Sequence, residues 1–194
     1  MATKEDVLEQ IVEEYLISEG YFVRHNIRYL PSQTHPEWRQ LEDSNHFDID
    51  VLGINPHKTG PSRVLAVNCK SWQQGFSPKA EIEAIEGDKV IRGRKAWKSF
   101  RELCQEKWAD AFIAKVKEET GESEFTHVTA VAKLIGDKAV WENHPRFARS
   151  LKGAPVRLFT FREMVEAVEG RLTTTLAGSE IGRILQMFKA SGLR

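Results

Sequence analysis

Two cysteines are too few to staple a chain of 194 residues, so a disulfide scaffold is excluded. No apolar run approaches the roughly 18 residues that a membrane helix needs. The opening segment MATKEDVLEQ has no apolar core of a secretory signal. These gaps lead to the expectation of a cytoplasmic chain with no membrane partner. The nucleotide fingerprints are missing as well, since neither G-x-G-x-x-G nor a P-loop occurs. The six histidines, at 25, 35, 46, 57, 127 and 144, show no zinc-ligand spacing. Net charge is also zero, with 28 bases against 28 acids, but the balance is uneven along the chain. Residues 1–50 carry 11 acids against 4 bases, and residues 51–101 carry 10 bases against 4 acids. A local basic surface is therefore compatible with a polyanionic partner.

What is present reads as one α/β domain, with 41% hydrophobic and 9% aromatic residues. Val7 to Gly20 has apolar residues at helical spacing, with Thr3 as the expected N-cap and Gly20 as the C-cap. Residues 21–30, 46–54 and 63–72 read as three strands, the last apolar on both faces and so central. Residues 31–45 read as a loop. Ser77-Pro78 opens a helix. Asp88 is expected to cap a longer helical region running to about Thr120, with a break at Gly93. Residues 125–135 and 156–159 look strand-like. Thr160 and Glu163 form a capping box that starts another helix, and Ser179 caps a last one. The order implies a mixed central sheet flanked by helices.

The second and third strands carry the chemistry. Side chains at i and i+2 share a strand face, so Asp48 and Asp50 are expected to point one way, and Asn68 and Lys70 likewise. If the strands are neighbours, Asp50 and the pair Asn68/Lys70 converge at one end of the sheet. Charges in apolar strands cost several kcal/mol to bury unless paired or metal-bound. Two readings follow from the residues alone. One is a structural salt bridge between Lys70 and Asp48 or Asp50. The other is a site for Mg²⁺, which prefers carboxylate, carbonyl and water oxygens, with Lys70 beside it to hold an attacking water.

The segments FDIDVLG and VLAVNCKSW, joined by a short turn, resemble the core of the PD-(D/E)XK nuclease superfamily. That core has an acidic residue on one strand and Asp/Glu-x-Lys on the next. The upstream VLEQIVEEYLISEGYFV is similar to the first helix of archaeal Holliday-junction resolvases and Mrr-type restriction endonucleases. There an inward glutamate precedes a Gly-aromatic step into the first strand. Spacing from Gly20 favours Glu9, with Glu13 one turn later as the alternative. The resemblance covers roughly residues 5–86 and implies a restriction-endonuclease-like fold. It also implies a metal-dependent DNA endonuclease using Mg²⁺ or Mn²⁺.

In that scheme Asp50, Glu9, Asn68 and the Cys69 carbonyl are the metal ligands, and Asp48 makes an outer contact or one to a second metal. Lys70 orients or deprotonates the water. A homodimer is plausible, because cutting both strands usually needs two sites. One departure stands out, since the residue two before the lysine is Asn68 where Asp or Glu is the rule. Either a neutral amide is tolerated, or catalysis is lost and nucleic-acid binding kept, or the asparagine is an inactivating replacement. The rival function is therefore a non-catalytic nucleic-acid-binding or assembly protein on the same fold. A third reading is a domain that binds protein partners through its acidic first third.

The stretch KVIRGRKAWKSFR, residues 89–101, has six bases and no acids. As a helix face, Lys89, Arg92, Lys95 and Arg101 would either grip phosphates or form a solvated surface. Trp97 and Phe100 are stacking candidates with core packing as the alternative. Cys69 and Cys104 read as packing residues.

Overall fold

The computed structural model describes residues 6–91, 93–173, 175 and 177–192. Helix α1 (Val7–Ser18) leads into β1 (Phe22–Tyr29), the short α2 (Gln40–Asp43), β2 (Phe47–Ile54) and β3 (Val64–Lys70). Next come α3 (Pro78–Glu86), β4 (Val90–Ile91), β5 (Arg94–Lys95), α4 (Arg101–Cys104) and α5 (Glu106–Thr120). The chain closes with β6 (Thr126–Val131), α6 (Ala139–Glu142), α7 (Pro145–Ser150), β7 (Val156–Thr160), α8 (Phe161–Arg171) and α9 (Glu180–Ser191).

The central sheet has the order β1-β2-β3-β6-β7. Its first three strands are antiparallel, and β3, β6 and β7 run parallel. The fold is thus α/β with a mixed five-stranded sheet. Two cores form, one on each face. Leu8, Ile11, Val12 and Leu16 of α1 pack with Val51, Val67, Val128, Met164 and Leu185 on one side. Ile49, Leu52, Ala66, Phe76, Phe100, Trp108, Phe112 and Trp141 fill the other. β3 is buried on both faces over most of its length, as its apolar sequence requires.

Local signals set most boundaries. The Thr3 cap lies outside the described residues, and Asp6 is the N-cap, accepting the Leu8 N–H at 3.0 Å. Gly20, at φ 84°, turns the chain out of α1 into the first strand. Ser77 caps α3 with Pro78 at its first position, and Ser179 caps α9. Thr160 and Glu163 form a complete capping box on α8. Thr160→Ala removes both of its hydroxyl's bonds, so a stability loss of about 1 kcal/mol is expected, read as a lowered denaturant midpoint.

One expectation is corrected. The long helix expected from Asp88 does not form as one helix. Asp88 takes φ 49°, β4 and β5 pair as a hairpin, and Gly93 sits at φ 77° in its turn. A short 3₁₀ turn, Ala96–Ser99, and α4 follow, and the long helix starts only at Glu106. Six bases without one acid would repel on a single helix, and Gly93 and the β-branched Val90-Ile91 pair favour the hairpin. The strand expected over 125–135 ends at Val131, after which Leu134 bridges to Phe76. The short helices α2, α6 and α7 fill stretches that carry no clear periodicity.

Candidate functional site at the open end of the β2–β3 ladder

The β2–β3 ladder pairs 51–54 with 64–67 and ends at Val51 opposite Val67. Continuing that register sets Asp50 opposite Asn68 and Asp48 opposite Lys70. Backbone rungs are replaced here by side chains. The Asp50 Oδ2 accepts the Cys69 N–H at 2.5 Å. From the other strand, Asn68 Nδ2 donates to the Asp48 carbonyl at 2.9 Å. The N–H and C=O of one strand residue point the same way, so the Cys69 carbonyl also faces this gap.

β1 opens at the same level. Its ladder with β2 skips the Asn26–Asp50 pair, and Asn26 takes the left-handed φ of 53°, which asparagine tolerates better than most residues. Ile49 and Leu52 consequently enter the same core while Val51 enters the other, so the alternation of faces breaks around Asp50. Asp48 and Asp50 therefore do not share a face as i, i+2 neighbours should. Asp48 instead approaches Arg28 across β1 at 4.0 Å, too far for a hydrogen bond.

Lys70 is half-buried at the end of β3. Its Nζ lies 5.7 Å from the Phe47 ring centre and 5.5 Å from that of Phe100, within cation–π range of both. Among the described residues no ion pair joins it to Asp50. Burial raises the Asp50 carboxyl above its ordinary range, and the Lys70 charge and the Cys69 N–H only partly oppose that. This is a half-buried carboxylate without a neutralising partner in contact. Such a group is costly to the fold and useful to chemistry.

Glu9 lies in the first turn of α1, and its charge acts on the Cys69 thiol, as does that of Asp6. The α1 N-terminus is fastened to the end of β3 by a hydrogen bond from the Ser71 hydroxyl to Asp6. Glu13 lies elsewhere, 3.4 Å from His25 Nε2 on β1. Burial, then the Asp50 and Glu9 charges, push the Cys69 thiol well up, and burial pushes Cys104 up to about 12. Neither sulfur is suited to act as a nucleophile at neutral pH.

The oxygen donors at this edge are the Asp50 carboxylate, the Asn68 amide and the Cys69 carbonyl. Among the described residues, no three His, Cys, Asp or Glu side chains gather as a metal-holding group. Asn68 is 2% exposed, yet its Oδ1 is buried with no partner in the protein. An orphaned buried oxygen beside a desolvated carboxylate fits a hard divalent cation.

The basic stretch is dispersed by the hairpin. Lys89 and Arg94 are exposed, and Lys95 pairs with Asp88 at 2.7 Å. Arg101 stacks on Trp108, its guanidinium 4.4 Å from the ring centre. Arg92 lies outside the described residues. Lys89, Lys95 and Arg101 do not share a helix face. Trp97 and Phe100 are 8% and 1% exposed, so both are packing residues.

Sequence reasoning missed Glu102. It is fully buried on α4 and accepts from Tyr29 Oη at 3.3 Å, with His127 Nε2 at 3.1 Å. Burial alone would raise its carboxyl. The His127 bond and charge, with help from Lys70, outweigh that and hold it below its ordinary range. Its partners are distant in sequence, which left no local signal.

No family model matches this chain, and neither the curated proteins nor the solved structures yield a match.

Proposed function

We propose that the chain is a metal-dependent DNA endonuclease with a restriction-endonuclease-like core, its site built on Asp50, Asn68, Lys70 and Glu9. The observation that carries this reading is the convergence of Asp50 with the Asn68/Lys70 pair where the ladder opens, with Asp50 desolvated and not ion-paired. The order of a carboxylate-bearing helix, three antiparallel strands and then parallel strands supports it. Mg²⁺ or Mn²⁺ would be held by Asp50, the Asn68 Oδ1 and the Cys69 carbonyl, with Glu9 nearby. When bound, the ion would supply Lewis acidity and a water of lowered pKa. Lys70, on its floor of two aromatic rings, orients the attacking water and stabilises negative charge on the phosphate. Asp50 fixes the end of β3 through the Cys69 N–H, which holds Lys70 in place.

A second reading is favoured by one observation. The position expected to be acidic holds a neutral amide, and that amide is tied to the Asp48 carbonyl. A fold of this kind that binds nucleic acid without cutting it is the result if one carboxylate is too few. Hard cations favour anionic oxygen, so Asn68→Glu is expected to tighten metal binding.

The test is cleavage of plasmid, single-stranded and branched DNA with Mg²⁺ or Mn²⁺, run beside Asn68→Glu. Cleavage by the natural chain supports the endonuclease with Asn68 as a tolerated ligand. Cleavage by Asn68→Glu alone supports the binding protein. Neither cutting nor binding by either form would sink both readings.

A further inference from the structure

The hairpin formed by β4 and β5 has no packing role that accounts for its composition. Neighbouring side chains in a strand point to opposite faces. Val90 is 64% exposed and Ile91 45%, so the ribbon presents an apolar side chain on each face. A Cβ built on Gly93 meets no atom within 4 Å, so Gly93 borders open space. Arg94 lies opposite Ile91 and Lys89 two residues before it, so both exposed bases share the Ile91 face, while Lys95, opposite Val90, engages Asp88 at the ribbon's base. An exposed ribbon face with an apolar side chain beside two bases is complementary to a slot with anionic rims.

Width decides which slot. Two strands lie about 4.8 Å apart, and their side chains bring the ribbon to roughly 10–12 Å. A B-DNA major groove of about 12 Å admits a two-stranded ribbon, whereas a minor groove of about 6 Å does not. The ribbon also lies close to the candidate site. Its last strand runs through the Ala96–Ser99 turn into Phe100, whose ring lies beneath Lys70. At about 2 Å per residue that four-residue turn spans about 8 Å.

From this we infer that the hairpin enters the major groove of duplex DNA, making B-form duplex the substrate class. The inference rests on the nucleic-acid reading of the site. Ile91 contacts base edges and thymine methyls, and Lys89 and Arg94 on the same face contact phosphates on the groove rims.

The test is duplex binding by the full chain in metal-free buffer, followed by anisotropy. The probes are plain duplex, the same duplex with its major groove filled by glucosylated 5-hydroxymethylcytosine, and plain duplex with its minor groove filled by netropsin. Glucosylation is expected to weaken binding by about tenfold or more, while netropsin changes it by less than about twofold. Val90→Ser/Ile91→Ser is expected to bind plain duplex weakly and to ignore glucosylation. Lys89→Ala/Arg94→Ala is expected to reduce the slope of log K against log salt by about 2.

Duplex binding that ignores glucosylation, or a serine variant that binds like the natural chain, overturns the groove assignment and leaves the nuclease reading standing. A serine variant with a changed oligomeric state by light scattering and unchanged DNA affinity makes the ribbon a protein interface, and also overturns it. A natural chain that binds no duplex at all removes the nucleic-acid reading beneath it.

Discussion

Asp50→Asn is expected to abolish cleavage while leaving the thermal midpoint at pH 7 equal or raised. The carboxyl of Asp50 is raised by burial, so folding disfavours its ionised form. For such a group the favourable contribution is complete below the unfolded pKa. It is lost as pH climbs through the folded one, which makes the ionised group a cost at neutral pH. Asparagine keeps an oxygen for the Cys69 N–H and removes that cost, but it also removes the negative charge that would anchor a divalent ion. A structural salt bridge with Lys70 makes the opposite prediction, since losing a paired charge lowers stability. Lys70→Ala is expected to cost about 10²–10⁴ in rate, the usual share of a positioned proton-transfer group. Its secondary structure should be unchanged. Cleavage rates and calorimetry on both variants decide the matter, and retained activity in either would falsify this site.

Asp43→Ala is expected to destabilise the fold by about 3–5 kcal/mol, the usual result of removing one partner from a buried ion pair. For a domain of this size that lowers the midpoint by roughly 10–15 °C. Asp43 is 0% exposed and accepts from Lys107 Nζ at 2.6 Å, the Arg39 N–H at 2.8 Å and Trp108 Nε1 at 3.0 Å. Lys107, 4% exposed, also donates to the Glu37 carbonyl at 3.0 Å and would be left without its counter-charge. Burial alone would raise the Asp43 carboxyl, but these donors outweigh it and the net shift is downward. A lowered carboxyl contributes stability above its unfolded pKa and loses it as pH falls through the folded value. The gap between natural chain and variant should therefore be wide at neutral pH and close in acid. An unchanged gap between pH 7 and pH 3 would show that the pair carries no such charge. The effect reaches the candidate site, because the loop that Asp43 pins to α5 leads directly into Phe47, part of the floor beneath Lys70.

The sequence made legible whatever short-range chemistry controls. Ser77-Pro78, Thr160 with Glu163, and Ser179 each set a helix start where they were expected to. The Asp50 and Lys70 strands became neighbours because their apolar runs fit a buried sheet. What stayed hidden depends on backbone conformation or on contacts distant in sequence. Lysine, arginine and alanine over 88–101 have high helix propensity, which masks the like-charge repulsion, the Val90-Ile91 pair and the left-handed Asp88 and Gly93 that together make a ribbon. The asparagine at 26 reads as an ordinary strand residue, yet its φ of 53° breaks the alternation that was assumed for Asp48 and Asp50. Glu102 finds Tyr29 and His127 only once the sheet is assembled.

The substitute rungs at 50 and 68 give the open ladder an evolutionary consequence. One pair of side chains there both closes the sheet and offers oxygens to the site, so an exchange that removes the bonding group loses both at once. Exchanges that keep an oxygen for the Cys69 N–H, as Asp50→Asn does, leave the sheet closed. Drift toward a new activity at this edge is therefore expected to run first through residues that keep the bond, and to need paired substitutions where it is lost. Libraries that vary 50 and 68 together should reach folded, altered sites that single-site scanning never samples.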